Sequence, residues 1–187
     1  MMGTGPFAVP TFRAIVELGT HRVLALATRP ERPAHGRNKE SANPMRAEAE
    51  RLGVPVLSPE DVNSSDSRAE LARLAADLFV VCDYGQILSP ETLATARLGG
   101  INLHGSLLPK YRGAAPVQWA VYRGEKETGA TVIHMTPRLD AGPALAQIWT
   151  PIGPEETAGE LESRLAEMGA PLVLEVIDAL ESGVSRP

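Results

Sequence analysis

The chain has 187 residues, which is enough for one domain with its own core, and we predict a single catalytic domain over residues 1–187. Its 43% hydrophobic and 22% charged residues are typical of a soluble globular protein, and no uncharged apolar run reaches the ~20 residues that a membrane span requires. Eighteen basic and 23 acidic side chains give a formal net charge of −5, which argues against a protein whose whole surface binds nucleic acid.

The order of elements predicts an α/β fold. Short runs rich in β-branched residues alternate with longer segments of helical period, which is the pattern of a Rossmann-like, doubly wound, mostly parallel sheet with helices on both faces. Only Met1 and Met2 precede the turn at Gly3, so we expect a truncated first strand. The patterns predict strands at 21–28, 56–57, 78–82, 100–104, 130–135 and 144–152. They predict helices at 10–19, 43–52, 66–75 (capped by Asp66 or Ser67), 90–96 and 157–180, the last with a break near 169–171.

A basic segment interrupts this otherwise acidic chain. Between residues 28 and 46, Glu31 and Glu40 stand against five cations, which are Arg29, Arg32, Arg37, Lys39 and Arg46. Prolines at 30 and 33 and a glycine at 36 predict a long loop. This is the segment where the sequence predicts contact with a polyanion.

The turn from Gly3 to Ala8 fits the loose dinucleotide-binding pattern between a strand and a helix. The acidic residue expected about 20 residues later is missing, because the next strand ends in Ala27 and Thr28. We therefore favour a tight turn that lets the backbone approach its surroundings over nucleotide binding.

Two polar side chains mark the end of the strand predicted at 100–104. Alternation places Asn102 and His104 on one side, at the carboxyl end where open α/β sheets bind ligands. An amide can donate to a developing oxyanion and an imidazole can hold or move a proton, so the pair suits acyl transfer. The alternative is a strand end whose polar groups merely bond to a loop.

Asp140 lies in the loop after the next predicted strand. A carboxylate there can reach and orient a histidine on the adjacent strand, although such a residue is also a common turn former. The four histidines and single cysteine show no ligand spacing, so we predict no metal site. Trp119 and Tyr122 follow Pro116 at helical spacing, and we favour a packed helix face over a base-stacking platform.

Cys82 lies in the most apolar run, which predicts a buried structural thiol. One cysteine cannot form an internal disulfide, and the first residues show no secretion signal, so we expect a cytoplasmic protein.

At these residues the chain resembles the folate-dependent formyltransferases, and most closely their tRNA-acting branch, the methionyl-tRNA formyltransferases. The resemblance rests on Asn102 to Pro116, with Gly129 to Met135 and Leu139 to Gly142 at family spacing. Gly3 to Ala8 and Asp83 to Leu88 are similar to the tRNA-acting branch in particular.

The resemblance implies a catalytic trio of Asn102, His104 and Asp140, and 10-formyltetrahydrofolate as the formyl donor. It implies direct transfer to the amine, without a covalent enzyme intermediate. The residues implied to contact the folate are Ser106, Leu107, Leu108 and Pro109, together with Tyr84, Gly85, Gln86 and Ile87.

The resemblance also implies an acceptor, initiator methionyl-tRNA, bound through the basic loop 29–46 by Arg29, Arg32, Arg37 and Lys39. An extra residue, His35, departs from the commoner loop pattern and leaves the role of any one arginine open. We expect the C-terminal tRNA-binding domain of the family to lie outside this chain, and therefore weak tRNA binding. We also expect a monomer.

Two other interpretations remain at this point. One is formyl transfer to an amino sugar on a nucleotide or to a glycinamide ribonucleotide, and the run from Asn102 does not exclude the amino-sugar branch. The other is a non-catalytic module that retains the folate pocket. The presence of Asn102, His104 and Asp140 together argues against the module.

Overall fold

The computed structural model of the chain describes residues 1–31 and 43–183. Its strands are β1 (Leu26–Ala27), β2 (Val56–Leu57), β3 (Phe79–Val81), β4 (Gly100–His104), β5 (Glu127–His134) and β6 (Ala144–Pro151). Its α-helices are α1 (Val9–Leu18), α2 (Pro44–Leu52), α3 (Ser65–Arg73), α4 (Pro90–Leu93), α5 (Pro116–Tyr122) and α6 (Ala158–Glu181), with a 3-10 turn at Pro6–Ala8 before α1.

The strands confirm a mostly parallel sheet with an antiparallel edge. β1 pairs in parallel with β2, and β3 pairs in parallel with β4. Met2 joins these groups through parallel bridges to Ala27 and Val81, so the first strand is reduced to a bridging residue. β4, β5 and β6 then follow as antiparallel neighbours. This order places the carboxyl ends of β3 and β4 side by side.

Side chains of the sheet alternate between two apolar clusters. Val80 and Ile101, which are register partners, lie in a cluster with Phe12 of α1 and Leu165 of α6. Phe79 and Val81, which point to the opposite face from Val80, lie in a second cluster with Leu71 of α3 and Leu93 of α4. Helices therefore cover both faces, as the alternating pattern predicted.

Cys82 is fully buried in the first cluster, which confirms the predicted structural thiol. Burial raises the pKa of this thiol well above its ordinary value.

Capping residues set the ends of most helices. Asn43 accepts a hydrogen bond from the Arg46 amide at 3.1 Å and begins α2, and Gly53 ends it in the left-handed region. The predicted cap of α3 was wrong, because Ser64 caps this helix by accepting from the Ser67 amide at 3.2 Å.

Ion pairs link α2 to α1. The Glu48 carboxylate accepts hydrogen bonds from Arg51 Nε at 3.0 Å and from Arg13 Nε at 2.7 Å. The bonds from Arg51 and Arg13 lower the pKa of Glu48 to about 2. The carboxylate is thus ionised whenever the domain is near neutral pH.

Two predicted elements differ from the structure. The strand expected at 21–28 is only Leu26–Ala27, because its partner β2 supplies two residues for pairing. The break expected near 169–171 is absent, and α6 continues through Pro171. Burial of residues such as Leu165 and Val173 on both sides of the proline offsets the hydrogen bond that it cannot donate.

Within residues 1–31 and 43–183, no helix combines the length and the apolar character needed to cross a membrane.

Candidate active site

The end of β4 presents the predicted pair to one cavity. Asn102 pairs in register with Val81 of β3 and Ile133 of β5, so it lies within the central sheet. His104 follows two residues later, is 7% exposed, and faces the same cavity. The strand alternation therefore brings an amide and an imidazole together, as the sequence predicted.

Asp140 completes the cluster from the loop between β5 and β6. Its backbone is in the left-handed region at φ 44°, which turns the carboxylate back toward β4. One carboxylate oxygen accepts from Asn102 Nδ2 at 3.3 Å, and the other accepts from the Gly113 amide at 2.8 Å and lies 3.6 Å from His104 Nδ1. One carboxylate thus contacts both partners.

The hydrogen bonds of His104 assign its ring nitrogens. Nε2 lies 2.8 Å from the Tyr111 carbonyl oxygen. A carbonyl only accepts, so Nε2 carries a proton, and Nδ1 is the nitrogen that faces Asp140. Nδ1 lies 3.6 Å from the nearer Asp140 oxygen, beyond hydrogen-bond distance, so it is the ring position that a ligand in the cavity could contact.

A cavity of about 560 Å³ opens beside these residues, within the size range of small-molecule sites. The predicted residues Tyr84, Gly85, Gln86 and Ile87 all line it. The Gln86 amide is already engaged, because Oε1 accepts from the Val62 amide at 2.9 Å and Nε2 donates to the Pro59 carbonyl at 3.1 Å. The Gln86 side chain therefore links this wall of the cavity to the segment 59–62.

Tyr84 forms a neutral part of this wall. Burial raises the pKa of Tyr84 to about 12, and its side chain packs in the second apolar cluster.

The other predicted folate contacts, Ser106 to Pro109, lie outside the cavity lining. Ser106 is fully buried, and its hydroxyl donates to the Lys110 carbonyl at 2.6 Å. Thr131 braces the same loop, since its hydroxyl donates to the Ser106 carbonyl at 2.7 Å and accepts from the Leu108 amide at 3.1 Å. This loop supports the strand end that carries His104.

The predicted tRNA residues are only partly within the described chain. Arg29 is exposed, and its side chain packs beside Gly85 at the cavity wall. Arg32, Arg37 and Lys39 lie outside the described residues. Arg46 belongs to α2 and lies 3.4 Å from Glu31, so the basic loop ends before it.

Two acidic residues of the cavity were not singled out from the sequence. Asp83 and Glu162 both line it, and partial burial, with Glu162 as the second cause, raises the pKa of Asp83. Gly5 makes room for this arrangement, because a Cβ there would lie 1.6 Å from Asp83 Oδ2. The turn at Gly5 is therefore one in which the backbone approaches Asp83 closely. No sequence pattern predicted that Glu162 lines the cavity.

A group of side chains that could share a metal ion lies in a different part of the molecule. In the described chain, the histidine and carboxylate side chains close enough to share an ion are His21, Asp178 and Glu181, where His21 and Asp178 lie 2.8 Å apart. These residues do not line the cavity of His104.

Comparisons with known proteins identify the family. The model of the formyl transferase family matches residues 1–177. The chain belongs to the formyl transferase family.

The chain is also similar to two curated relatives. A methionyl-tRNA formyltransferase of Rhodopirellula baltica is 52% identical over 185 residues, covering 97% of this chain and 55% of the relative. One of Pelotomaculum thermopropionicum is 42% identical over 184 residues, covering 98% of this chain and 58% of the relative. The chain thus spans a little over half the length of these relatives.

A solved structure supports the fold. Glycinamide ribonucleotide transformylase 1 from Geobacillus kaustophilus superposes with a TM-score of 0.76 at 29% identity, over 96% of this chain and 95% of that one.

Proposed function

We propose that this chain transfers a formyl group from 10-formyltetrahydrofolate to the amino group of methionyl-initiator tRNA. The observation that carries the proposal is the Asp140 carboxylate, which contacts both Asn102 and His104 at the cavity. Its relatives' names, methionyl-tRNA formyltransferase, favour this acceptor within the family.

The reaction needs charge stabilisation more than a nucleophile on the protein. The neutral amine attacks the formyl carbon, a new C–N bond forms, and the carbonyl oxygen becomes an oxyanion. Asn102 Nδ2 and protonated His104 Nδ1 donate to that oxygen. When the carbonyl re-forms, the bond to N10 of the folate breaks.

Asp140 has two tasks in this mechanism. It holds Asn102 and His104 in position and offsets the positive charge of the imidazolium. It also supports a water that carries the proton from the attacking amine to the departing N10. The protein forms no bond to the formyl group, so the mechanism requires no nucleophile such as Ser106.

The substrates occupy different sides of the cavity in this proposal. The backbone of 84–87 and the apolar wall beside it would receive the pterin, since buried pockets of this kind bind flat heterocycles through backbone groups. Ser106 to Pro109 would act mainly by positioning His104. Arg29, with Arg32, Arg37 and Lys39, would contact tRNA phosphates.

Glycinamide ribonucleotide is the alternative acceptor, because the Geobacillus structure carries that name. An amino-sugar nucleotide is a further alternative. The cytoplasmic location, the monomeric state and weak tRNA binding by residues 1–187 stay predictions.

The first test uses wild type and His104→Ala at matched concentrations. Binding of 10-formyltetrahydrofolate and its conversion to tetrahydrofolate are followed with and without methionyl-tRNA. We expect conversion that requires His104 and is accelerated by methionyl-tRNA. A folded wild-type domain that binds no formyl-folate would contradict the proposal.

A further inference from the structure

The exposed side of α5 carries two aromatic rings that the cavity does not use. Trp119 is 47% exposed and Tyr122 is 78% exposed, whereas Val117 and Ala120 of the same helix are buried. The packed helix face predicted for the two rings was therefore wrong. Large apolar rings directed at solvent from a short helix indicate an interaction surface.

The geometry of the rings suits planar partners. The Trp119 and Tyr122 rings meet edge to face with centroids 5.7 Å apart, and the Arg123 guanidinium lies 5.8 Å from the Trp119 centroid. Aromatic rings next to arginine form the usual platform for stacked bases, where the ring contacts the base and the cation contacts the phosphate.

The platform is continuous with the cavity. The first residues of α5, Pro116 to Gln118, line the cavity that contains His104. At 1.5 Å per residue, Tyr122 lies roughly 6 Å beyond Gln118 along the helix axis. A chain that leaves the cavity along α5 would place its next units beside Trp119 and Tyr122.

The charge also favours a polyanion. Arg112 directly precedes Gly113, which lines the cavity, and Arg123 follows the last residue of α5. Neither arginine takes part in an ion pair within the described part of the chain, unlike Lys110, which pairs with Glu125 at 3.1 Å. The Arg123 guanidinium beside the two exposed rings matches the phosphates and bases of a single strand.

We infer that Trp119, Tyr122 and Arg123 form a stacking platform for the unpaired nucleotides that precede the aminoacyl group of the acceptor RNA. This inference rests on the proposed function and adds a second RNA contact to the basic loop. The other possible occupant, a protein segment, is an outcome of the test.

The chain offers a direct probe, because Trp119 and Trp149 are its two tryptophans. Trp149 is 56% exposed on β6 and does not line the cavity, so it is a matched control. Trp149→Phe leaves Trp119 as the reporter, and Trp119→Phe leaves Trp149. Each variant is titrated with a single-stranded RNA tetranucleotide and, separately, with poly-glutamate as an anionic polymer without bases.

We expect RNA to quench the fluorescence of Trp119 and to leave that of Trp149 unchanged, with no response to poly-glutamate. Adding Tyr122→Ala to the Trp149→Phe variant should weaken RNA binding about tenfold, which is at the lower end of stacking energies measured by alanine substitution. Tyr122→Phe, which keeps the ring, should retain the affinity. Equal responses of the two tryptophans, or none, would overturn the inference and leave a protein segment as the occupant.

Formyl transfer separates this inference from the proposed function. Trp119→Ala and Tyr122→Ala should each raise KM for methionyl-tRNA about tenfold, with kcat and acceptor-free conversion of formyl-folate unchanged, while Trp149→Ala changes neither constant. If the wild type transfers the formyl group and both variants keep its KM for methionyl-tRNA, the platform is refuted and the proposed function is not. Failure of wild-type transfer would defeat the proposed function, and the titration would still decide whether the platform binds RNA.

Discussion

Replacing Asp140 with asparagine removes one charge and keeps the shape of the side chain. In the structure the carboxylate accepts from the Gly113 amide and from Asn102, and it faces His104 Nδ1 at 3.6 Å. The substituted amide has one acceptor oxygen for these donors. Its amino group would therefore face another donor in a site where His104 is 7% exposed.

The size of the effect follows from this geometry. Two unit charges 3.6 Å apart interact by about 4–5 kcal/mol at an effective dielectric constant of about 20. Water and the remaining hydrogen bonds reduce this, and bonds to charged groups contribute about 1.5–3 kcal/mol net. Because 1.36 kcal/mol corresponds to tenfold in rate, we expect kcat to fall by roughly 10–10²-fold.

The assay compares the formyl-transfer rate and the thermal midpoint of wild type, Asp140→Asn and Asp77→Asn. Asp77 pairs with Arg97 in an exposed ion pair, so Asp77→Asn is the control for losing a carboxylate elsewhere. We expect Asp140→Asn to bind 10-formyltetrahydrofolate and to melt within a few degrees of wild type. A full rate in Asp140→Asn would refute the role of the carboxylate, and a rate that falls only in step with unfolding would reduce it to a structural one.

Two further predictions concern stability. Gly129→Ala should destabilise the domain by about 1–3 kcal/mol in chemical unfolding, because its Cβ would lie 1.9 Å from the Ile148 carbonyl oxygen. Gly159→Ala, with open space around the same atom, should be neutral or stabilising, and equal losses in both variants would contradict the steric argument. Glu48→Gln should cost about 1–2 kcal/mol at pH 7, since its pKa is lowered from 4.5 to about 2 and its two arginine partners are half-exposed. The stability advantage of the wild type is present above pH 4.5 and is lost as the pH falls toward 2, so the unfolding curves of wild type and Glu48→Gln should converge in acid. Glu17 is an exposed partner of the same cluster, and Glu17→Gln should change the free energy of unfolding little.

Local patterns predicted the parts of the fold that depend on neighbours in sequence. Asn43 and Gly53 bound α2 as predicted, because a cap and a left-handed glycine act within one turn. The strand expected at 21–28 was predicted too long, because its length depends on pairing with β2, which lies 30 residues away in the sequence. Strand propensity does not contain that information.

Local patterns likewise predicted some residues of the candidate site and missed others. Strand alternation was sufficient to place Asn102 and His104 together. The contribution of Glu162 was not predictable from local pattern, because it depends on how α6 crosses the sheet. The exposure of Trp119 was also missed, since i, i+3 spacing says that two rings share a face and not whether that face is covered.

The central claim is direct formyl transfer to methionyl-tRNA, and isotopic tracing tests it most directly. The chain is incubated with 10-formyltetrahydrofolate labelled with ¹³C in the formyl group, together with equal concentrations of methionyl-initiator tRNA and glycinamide ribonucleotide, and protein and products are analysed by mass spectrometry. The account predicts label on the methionine amine, unlabelled protein, and loss of labelled product in His104→Ala. Label on glycinamide ribonucleotide alone, or a labelled covalent adduct of the protein, would contradict it.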